Sequence, residues 1–231
     1  MAIIPVKITE LRWETPTVRG LKLDLQEQEF IYKAGQWIDC YADIDGVRSI
    51  VGYSLASTPT QKGSIELAVK QSDNPVTEYI HARAKVGDTL YVDGGQGEIF
   101  YDIGMGSKVV LAAAGIGVAP LMGMVRFIVE ATDAEVTLFQ SASTRDELVF
   151  YDEVKSLSNN PRVRYYPFVT REAPGDAVEA GRISGDAMTA HGVDLSSLFF
   201  LSGPGGMIPE LKEYLIVHGV DESRIKYEVW W

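Results

Sequence analysis

The sequence predicts two domains, an N-terminal antiparallel β-barrel and a C-terminal α/β domain built on a doubly wound parallel sheet. Three observations predict it. Up to about residue 102 the chain runs in short segments rich in β-branched and aromatic residues, broken by Gly, Pro, Asp and Asn, the punctuation of an all-β domain. From Lys108 onward, continuous apolar segments alternate with amphipathic helical ones, as parallel strands covered on both faces require. A glycine turn joins the first of those apolar segments to the first helix. The boundary is placed between residues 102 and 103, within the join Tyr101-Asp-Ile-Gly-Met-Gly-Ser-Lys108. That join is too short for a free linker, so the two domains, 1–102 and 103–231, are expected to share an interface.

In the first half, strands are expected over residues 6–13, 18–25, 36–42, 49–57, 64–70 and 89–93, with one helix over 76–84. Six strands at this spacing suit a small closed barrel, which leaves no sheet edge exposed. In the second half, strands are expected over 109–113, 135–140, 162–169, 198–202 and 224–229. Helices are expected over 119–130, 147–157, 185–190 and 207–218.

Composition narrows the function classes. With 231 residues, 46% of them hydrophobic, the chain has material for two cores. A net charge of −11 repels nucleic acid and anionic lipid, so neither is expected as a partner. No apolar run approaches the roughly 18 residues of a spanning helix, and the opening MAIIPVKITELRW turns polar too early for a signal peptide. A soluble, cytoplasmic protein without membrane insertion is expected. The single cysteine, Cys40, excludes an internal disulfide, a Cys-ligated zinc and a Cys-held iron–sulfur cluster. His81, His191 and His218 stand far apart in sequence, and no metal site is assigned.

The sharpest local feature is Gly115-Ile116-Gly117-Val-Ala-Pro120, between an apolar strand and a helix. Glycines let the backbone turn tightly and approach a pyrophosphate, which the free N–H groups of a helix start favour. Pro120 fits near that start, where its missing N–H is no loss. Such a turn also serves plain strand-to-helix packing, and this one differs from Gly-x-Gly-x-x-Gly by Pro120 in the third place. A second turn, Ser202-Gly203-Pro204-Gly205-Gly206, follows a later strand of the same domain. Ligands of open α/β sheets bind at the carboxyl ends of strands, so both turns are expected to border one crevice.

These two turns, in this order after a small β domain, resemble the ferredoxin–NADP reductase superfamily, and the likeness covers nearly the whole chain. The resemblance implies that Gly115, Ile116, Gly117 and Pro120 bind a nicotinamide nucleotide, with Ser202, Gly203 and Pro204 beside the nicotinamide. Ser202 stands where the family has Cys. The family's flavin signature, Arg-x-Tyr-Ser/Thr, corresponds to Val51-Gly52-Tyr53-Ser54-Leu55-Ala56-Ser57. By resemblance Tyr53 packs on the flavin and the Ser54 hydroxyl lies near its N5, with Leu55, Ser57, Val69, Lys70, Val76 and Thr77 completing the flavin site. The signature arginine is replaced by Val51. Arg48 does not simply substitute, because three strand residues span roughly 10 Å. Thr77, near a helix start, is equally placed for an N-cap.

The ending Tyr227-Glu228-Val229-Trp230-Trp231 resembles the bacterial ferredoxin/flavodoxin reductases, and with the missing arginine it also looks like the oxidoreductase NAD-binding domain-containing protein 1 group. That likeness implies Trp230 stacked over the flavin with Trp231 supporting it, and Glu228 handling a proton. Val169-Thr170-Arg171-Glu172 and Gly181-Arg182 resemble the positions that contact a 2′-phosphate, so Thr170, Arg171 and Arg182 imply NADPH, with NADH as the alternative. The implied cofactor is FAD, with FMN as the alternative. The implied activity is a flavin-dependent NAD(P)H reductase passing electrons to a separate acceptor such as ferredoxin or flavodoxin. A flavin or quinone reductase, or a flavin-free dinucleotide-binding subunit, are the competing readings.

Overall fold

The computed structural model describes residues 3–175 and 177–230, with Trp230 placed by its backbone alone. In the N-terminal half, β1 (Ile4–Thr15), β2 (Val18–Asp24), β3 (Trp37–Ile44), β4 (Val47–Ser54), β5 (Ser64–Lys70) and β6 (Thr89–Gln96) form one antiparallel sheet of order β4-β3-β6-β1-β2-β5. Alternation drives it: Val6 and Ile8, then Leu21, Leu23 and Leu25, point inward and are buried. The β3–β4 hairpin turns on Asp45 and Gly46, both at positive φ (51° and 84°), the geometry that matches the twist of the flanking strands.

That turn fixes the register of β4, which begins earlier than the expected strand over 49–57 and ends at Ser54. Residues 55–57 leave the ladder. Leu55 then makes an isolated bridge to Leu67, so the barrel is drawn together between β4 and β5 by this contact rather than by a full ladder. One end is covered by α1 (Pro75–Ala82), which buries Val76, Thr77 and Ile80. Asn74 caps it, accepting from the Val76 N–H at 2.9 Å, and Pro75 occupies the first turn, where no donor is needed.

The C-terminal half contains β7 (Lys108–Ala114), α2 (Val118–Ala131), β8 (Glu135–Ala142), α3 (Tyr151–Leu157), β9 (Val163–Val169), β10 (Glu179–Ala180), α4 (Gly185–Ala190), β11 (Leu198–Pro204), α5 (Met207–Val217) and β12 (Ile225–Trp230). Its strands are parallel, in the order β10-β9-β8-β7-β11-β12. Two expectations are corrected. The helix expected over 147–157 starts only at Tyr151, because Leu148, Val149 and Phe150 are all buried, which one helical stripe cannot achieve, and Phe150 turns left-handed at φ 63°. The strand β10 was not expected, since two residues carry no periodicity.

The halves share a core. One apolar cluster contains Val18, Ala34, Ala56 and Tyr101 from the first half together with Leu111, Val118, Leu121, Met124 and Phe200 from the second. The expected interface is therefore continuous with the interior of the α/β sheet.

Candidate functional site

In the parallel sheet the chain steps outward from β7 through β8 and β9 on one side, and through β11 and β12 on the other. The strand order reverses between β7 and β11, which opens a crevice at their carboxyl ends. Both glycine turns lie there. Gly115 sits at φ 57°, where side chains are disfavoured, with open space where its Cβ would be. Gly117 is buried, and a Cβ on it would stand 2.5 Å from the Ser202 carbonyl oxygen and 2.9 Å from Ser202 Oγ. Across the crevice a Cβ on Gly203 would stand 3.2 Å from that of Ala114. Ile116 is half-buried against the shared core, Pro120 is buried in the first turn of α2, and Pro204 is exposed. The seven residues assigned from the two turns are thus brought together.

The flank of the crevice is β12, whose register pairs Glu228 with Ser202 and Trp230 with Pro204. Glu228 is the unusual group. Its Oε2 is buried and has no hydrogen-bond partner among the described residues, and burial pushes its carboxyl above the usual carboxylate range. The stacking assigned to Trp230 falls on a side chain outside the described residues, as does Trp231 altogether.

On the barrel, Tyr53 and Ser54 close β4. Successive strand residues face opposite sides. Tyr53, level with Ile38, is buried, and its hydroxyl lies 2.7 Å from Thr77 Oγ1, so two separate parts of the assigned flavin site meet directly. Burial pushes the Tyr53 phenol up, keeping it a neutral hydrogen-bonding group. Ser54, level with Trp37, is buried on the other side. Leu55, Val69 and Val76 are wholly buried, and Lys70 is exposed at the end of β5. Ser57 stands apart. Its Oγ accepts from Tyr32 Oη at 2.9 Å and from the Glu66 N–H at 3.0 Å, so this hydroxyl ties the segment after β4 to β5.

The signature arginine has no stand-in from its own strand. Val51 lies level with Cys40, while Arg48 makes two 2.8 Å bonds to Asp43 and lies 4.3 Å over the Tyr91 ring. A flavin nevertheless fits what is present: an aromatic–hydroxyl pair on the barrel, and an orphaned buried carboxyl oxygen on β12. Its phosphates would lack the expected guanidinium.

A third cluster stands at the ends of β8, β9 and β10. The Arg171 N–H donates to the Ser143 carbonyl at 2.9 Å, and the Thr170 N–H to that of Ala142 at 3.1 Å. Parallel pairing sets Ala180 level with Val169, so the two chains leave the sheet together and carry Arg182 and Arg171 off the same end, both exposed. The backbone of Arg145, a residue the sequence did not single out, meets the same loop. Its N–H donates to Glu172 Oε1, and its guanidinium lies 5.2 Å from the Tyr151 ring. The signal was present in the chain: Arg145 follows β8 as Arg171 follows β9.

A barrel sharing a core with a doubly wound sheet, with two glycine turns at one crevice of the sheet and an aromatic–hydroxyl pair on the barrel, defines a two-domain flavin and nicotinamide oxidoreductase. The family models agree. Residues 5–101 match the oxidoreductase FAD-binding domain and residues 111–213 the oxidoreductase NAD-binding domain. Together these take in most of the chain, which carries an oxidoreductase FAD-binding domain followed by an oxidoreductase NAD-binding domain. Among curated relatives, oxidoreductase NAD-binding domain-containing protein 1 of Danio rerio is 28% identical over 254 residues, covering 100% of this chain and 93% of the relative. The flavohem-like FAD/NAD-binding domain of nitric oxide dioxygenase from Vibrio cholerae superposes with a TM-score of 0.88 at 26% identity, covering 98% of each chain. A ferredoxin NADP+ reductase from Neisseria gonorrhoeae, with FAD and NADP bound, shares the fold at a TM-score of 0.83 and 21% identity, covering 99% of each chain.

Proposed function

We propose that the chain is a flavin-dependent NAD(P)H reductase that passes electrons to a separate carrier such as ferredoxin or flavodoxin. The observation that carries this reading is the Gly117–Ser202 contact, which supports one crevice serving both the dinucleotide turn and the nicotinamide turn, beside Glu228. When bound, the flavin would accept a hydride at N5 from C4 of the reduced nicotinamide, which is oxidised in the same step.

The chain's own residues then divide the work. Gly115, Ile116, Gly117 and Pro120 receive the pyrophosphate at the start of α2. Ser202, Gly203 and Pro204 bound the nicotinamide ring. Tyr53 and Thr77 form one hydrogen-bonded unit behind the flavin site, packed in the barrel core with Leu55, Val69 and Val76, with Lys70 exposed at its edge, and Ser54, on the opposite side of the strand, supplies a hydroxyl toward N5. Glu228, protonated more readily than an ordinary carboxyl, holds a proton at the edge of the crevice. Trp230 and Trp231 would shield the flavin face, the role the resemblance gives them. Arg171 and Arg182 favour NADPH, because both are exposed on segments that leave the same end of the sheet in an acidic protein. The domain boundary is taken between residues 102 and 103.

Val51 supports a second reading. Without the signature cation flavin phosphate is held less firmly, which suits an NAD(P)H:flavin reductase that releases its reduced flavin. One purification tests both. A yellow protein whose absorption bleaches on adding NADPH, with the flavin retained on desalting, supports the carrier reductase. A flavin that is reduced and lost supports the second reading. A colourless chain that takes up neither FAD nor FMN would sink the two together.

A further inference from the structure

The helix that begins in the coenzyme turn does not end its work there. Gly123 lies six residues beyond Gly117 on α2, about 9 Å along the axis at 1.5 Å per residue. At that point α2 lies against the main chain of the segment that follows Ser54. A Cβ on Gly123 would stand 2.9 Å from the Leu55 carbonyl oxygen and 2.9 Å from that of Ser57, closer than a Cβ sits to any rigid neighbour. Neither obstacle is a side-chain tip that could swing away. Gly123 is mid-helix, with no positive φ to demand a glycine. Its only visible reason is this approach.

One turn further along, Arg126 fastens the same contact. Its Nη1 donates to the Ala56 carbonyl at 2.8 Å and to Glu66 Oε2 at 3.2 Å, while Nε and Nη2 grip the two Glu153 oxygens at 2.7 Å each. The side chain is only 12% exposed. A nearly buried guanidinium thus bonds the residue between the two that Gly123 touches, a strand of the barrel, and a helix of the second domain.

We propose that Gly123 and Arg126 are positioning residues that set the separation of nicotinamide and flavin, by seating the coenzyme helix directly on the flavin strand. The inference rests on the proposed binding of both rings. No flexible segment intervenes: from Gly117 the path runs through helix to Gly123, across a backbone contact to Leu55, and one residue back to Ser54. Hydride passes from nicotinamide C4 to flavin N5 as that C–H bond breaks and an N–H bond forms, with two electrons moving together. Its rate is set by a geometry in which an ångström counts for about a hundredfold.

The test is Gly123→Ala, a wedge of one methyl group that also favours the helix, so α2 should survive it. In stopped flow at saturating NADPH, the limiting rate of flavin reduction should fall about tenfold. The long-wavelength absorption of nicotinamide stacked on reduced flavin should weaken with it. Titrated into the flavin-free chain, FAD and 2′,5′-ADP should bind within twofold of wild type, because each sits wholly on one side of the wedge. Arg126→Met should slow reduction in the same way, and Arg126→Lys should recover part of the rate. An unchanged limiting rate in Gly123→Ala, or affinities that fall in step with it, would overturn the inference. A wild-type chain that binds flavin but is bleached no faster than the wedge variant would overturn this inference alone, whereas one that binds no flavin would overturn the function with it.

Discussion

Gly117 packs against Ser202 so closely that a Cβ would stand 2.5 Å from the Ser202 carbonyl oxygen, and this contact joins the two turns of the nucleotide crevice. Gly117 has φ −57°, which any residue adopts, so only the approach calls for glycine. Gly117→Ala should therefore force β7 and β11 apart at their ends. Overpacking of this kind costs about 1–3 kcal/mol. The expected result is a lower midpoint in urea denaturation together with weakened NADPH binding. A variant that keeps both at wild-type values would show that the turns are not coupled.

The Tyr53–Thr77 hydrogen bond links β4 to α1 and lends itself to a double-mutant cycle. Tyr53→Phe leaves the Thr77 hydroxyl unpaired in a buried place, and Thr77→Val does the same to the Tyr53 hydroxyl. Each should cost about 1–3 kcal/mol, the penalty for a stranded buried polar group. The double variant should cost less than the sum of the two. Additive losses, measured by denaturant unfolding of the flavin-free chain, would mean that the pair does not act as a unit.

The parts of this molecule that the sequence made legible share a cause. The crevice was readable because glycine has a backbone reason to occur where it does, and because the alternation from Val109 onward admits few topologies. Gly115, Ser202 and Arg171 announced themselves through their own neighbours in the chain. What stayed hidden depends on contacts between distant segments. Gly123 looks like any helical glycine until Leu55 and Ser57 are seen against it, and Arg126 like any surface arginine until the Ala56 carbonyl is. Residues 148–150 misled for a related reason. Their apolar character fits a helix, and only burial of all three reveals the left-handed break at Phe150.

Glu228 gives a pH-dependent prediction with a definite sign. Its folded-state carboxyl is raised above its ordinary value by burial, so the folded chain binds this proton more tightly than the unfolded one. The contribution to stability is then fully present below the unfolded pKa and is lost as pH rises through the raised folded value. Glu228→Gln, always neutral, should melt at a higher temperature than wild type at neutral pH. The gap should narrow as pH falls through the raised folded value and close once it is below the ordinary carboxylate range. A gap independent of pH would show that Glu228 is not ionising against its surroundings. In the reductase assay the same variant should lose rate, since its amide cannot yield the proton.

The proposed preference for NADPH rests on the arginines on the two segments that leave the sheet at the same end. If Arg171 and Arg182 meet the 2′-phosphate, each removal should matter only when that phosphate is present. Arg171→Ala is expected to raise the Kd for NADPH about tenfold, a difference of about 1.4 kcal/mol in binding, and to change that for NADH less than twofold. Arg182→Ala should act in the same direction, and the double variant should bring the two coenzymes close to parity. Because both side chains are exposed, the preference for NADPH should also shrink as salt is raised from 0.01 M to 1 M and the screening length falls from about 30 Å to about 3 Å. Isothermal titration with both coenzymes at two salt concentrations reads all of this. Equal losses for NADH and NADPH would place these arginines on the pyrophosphate or the fold instead.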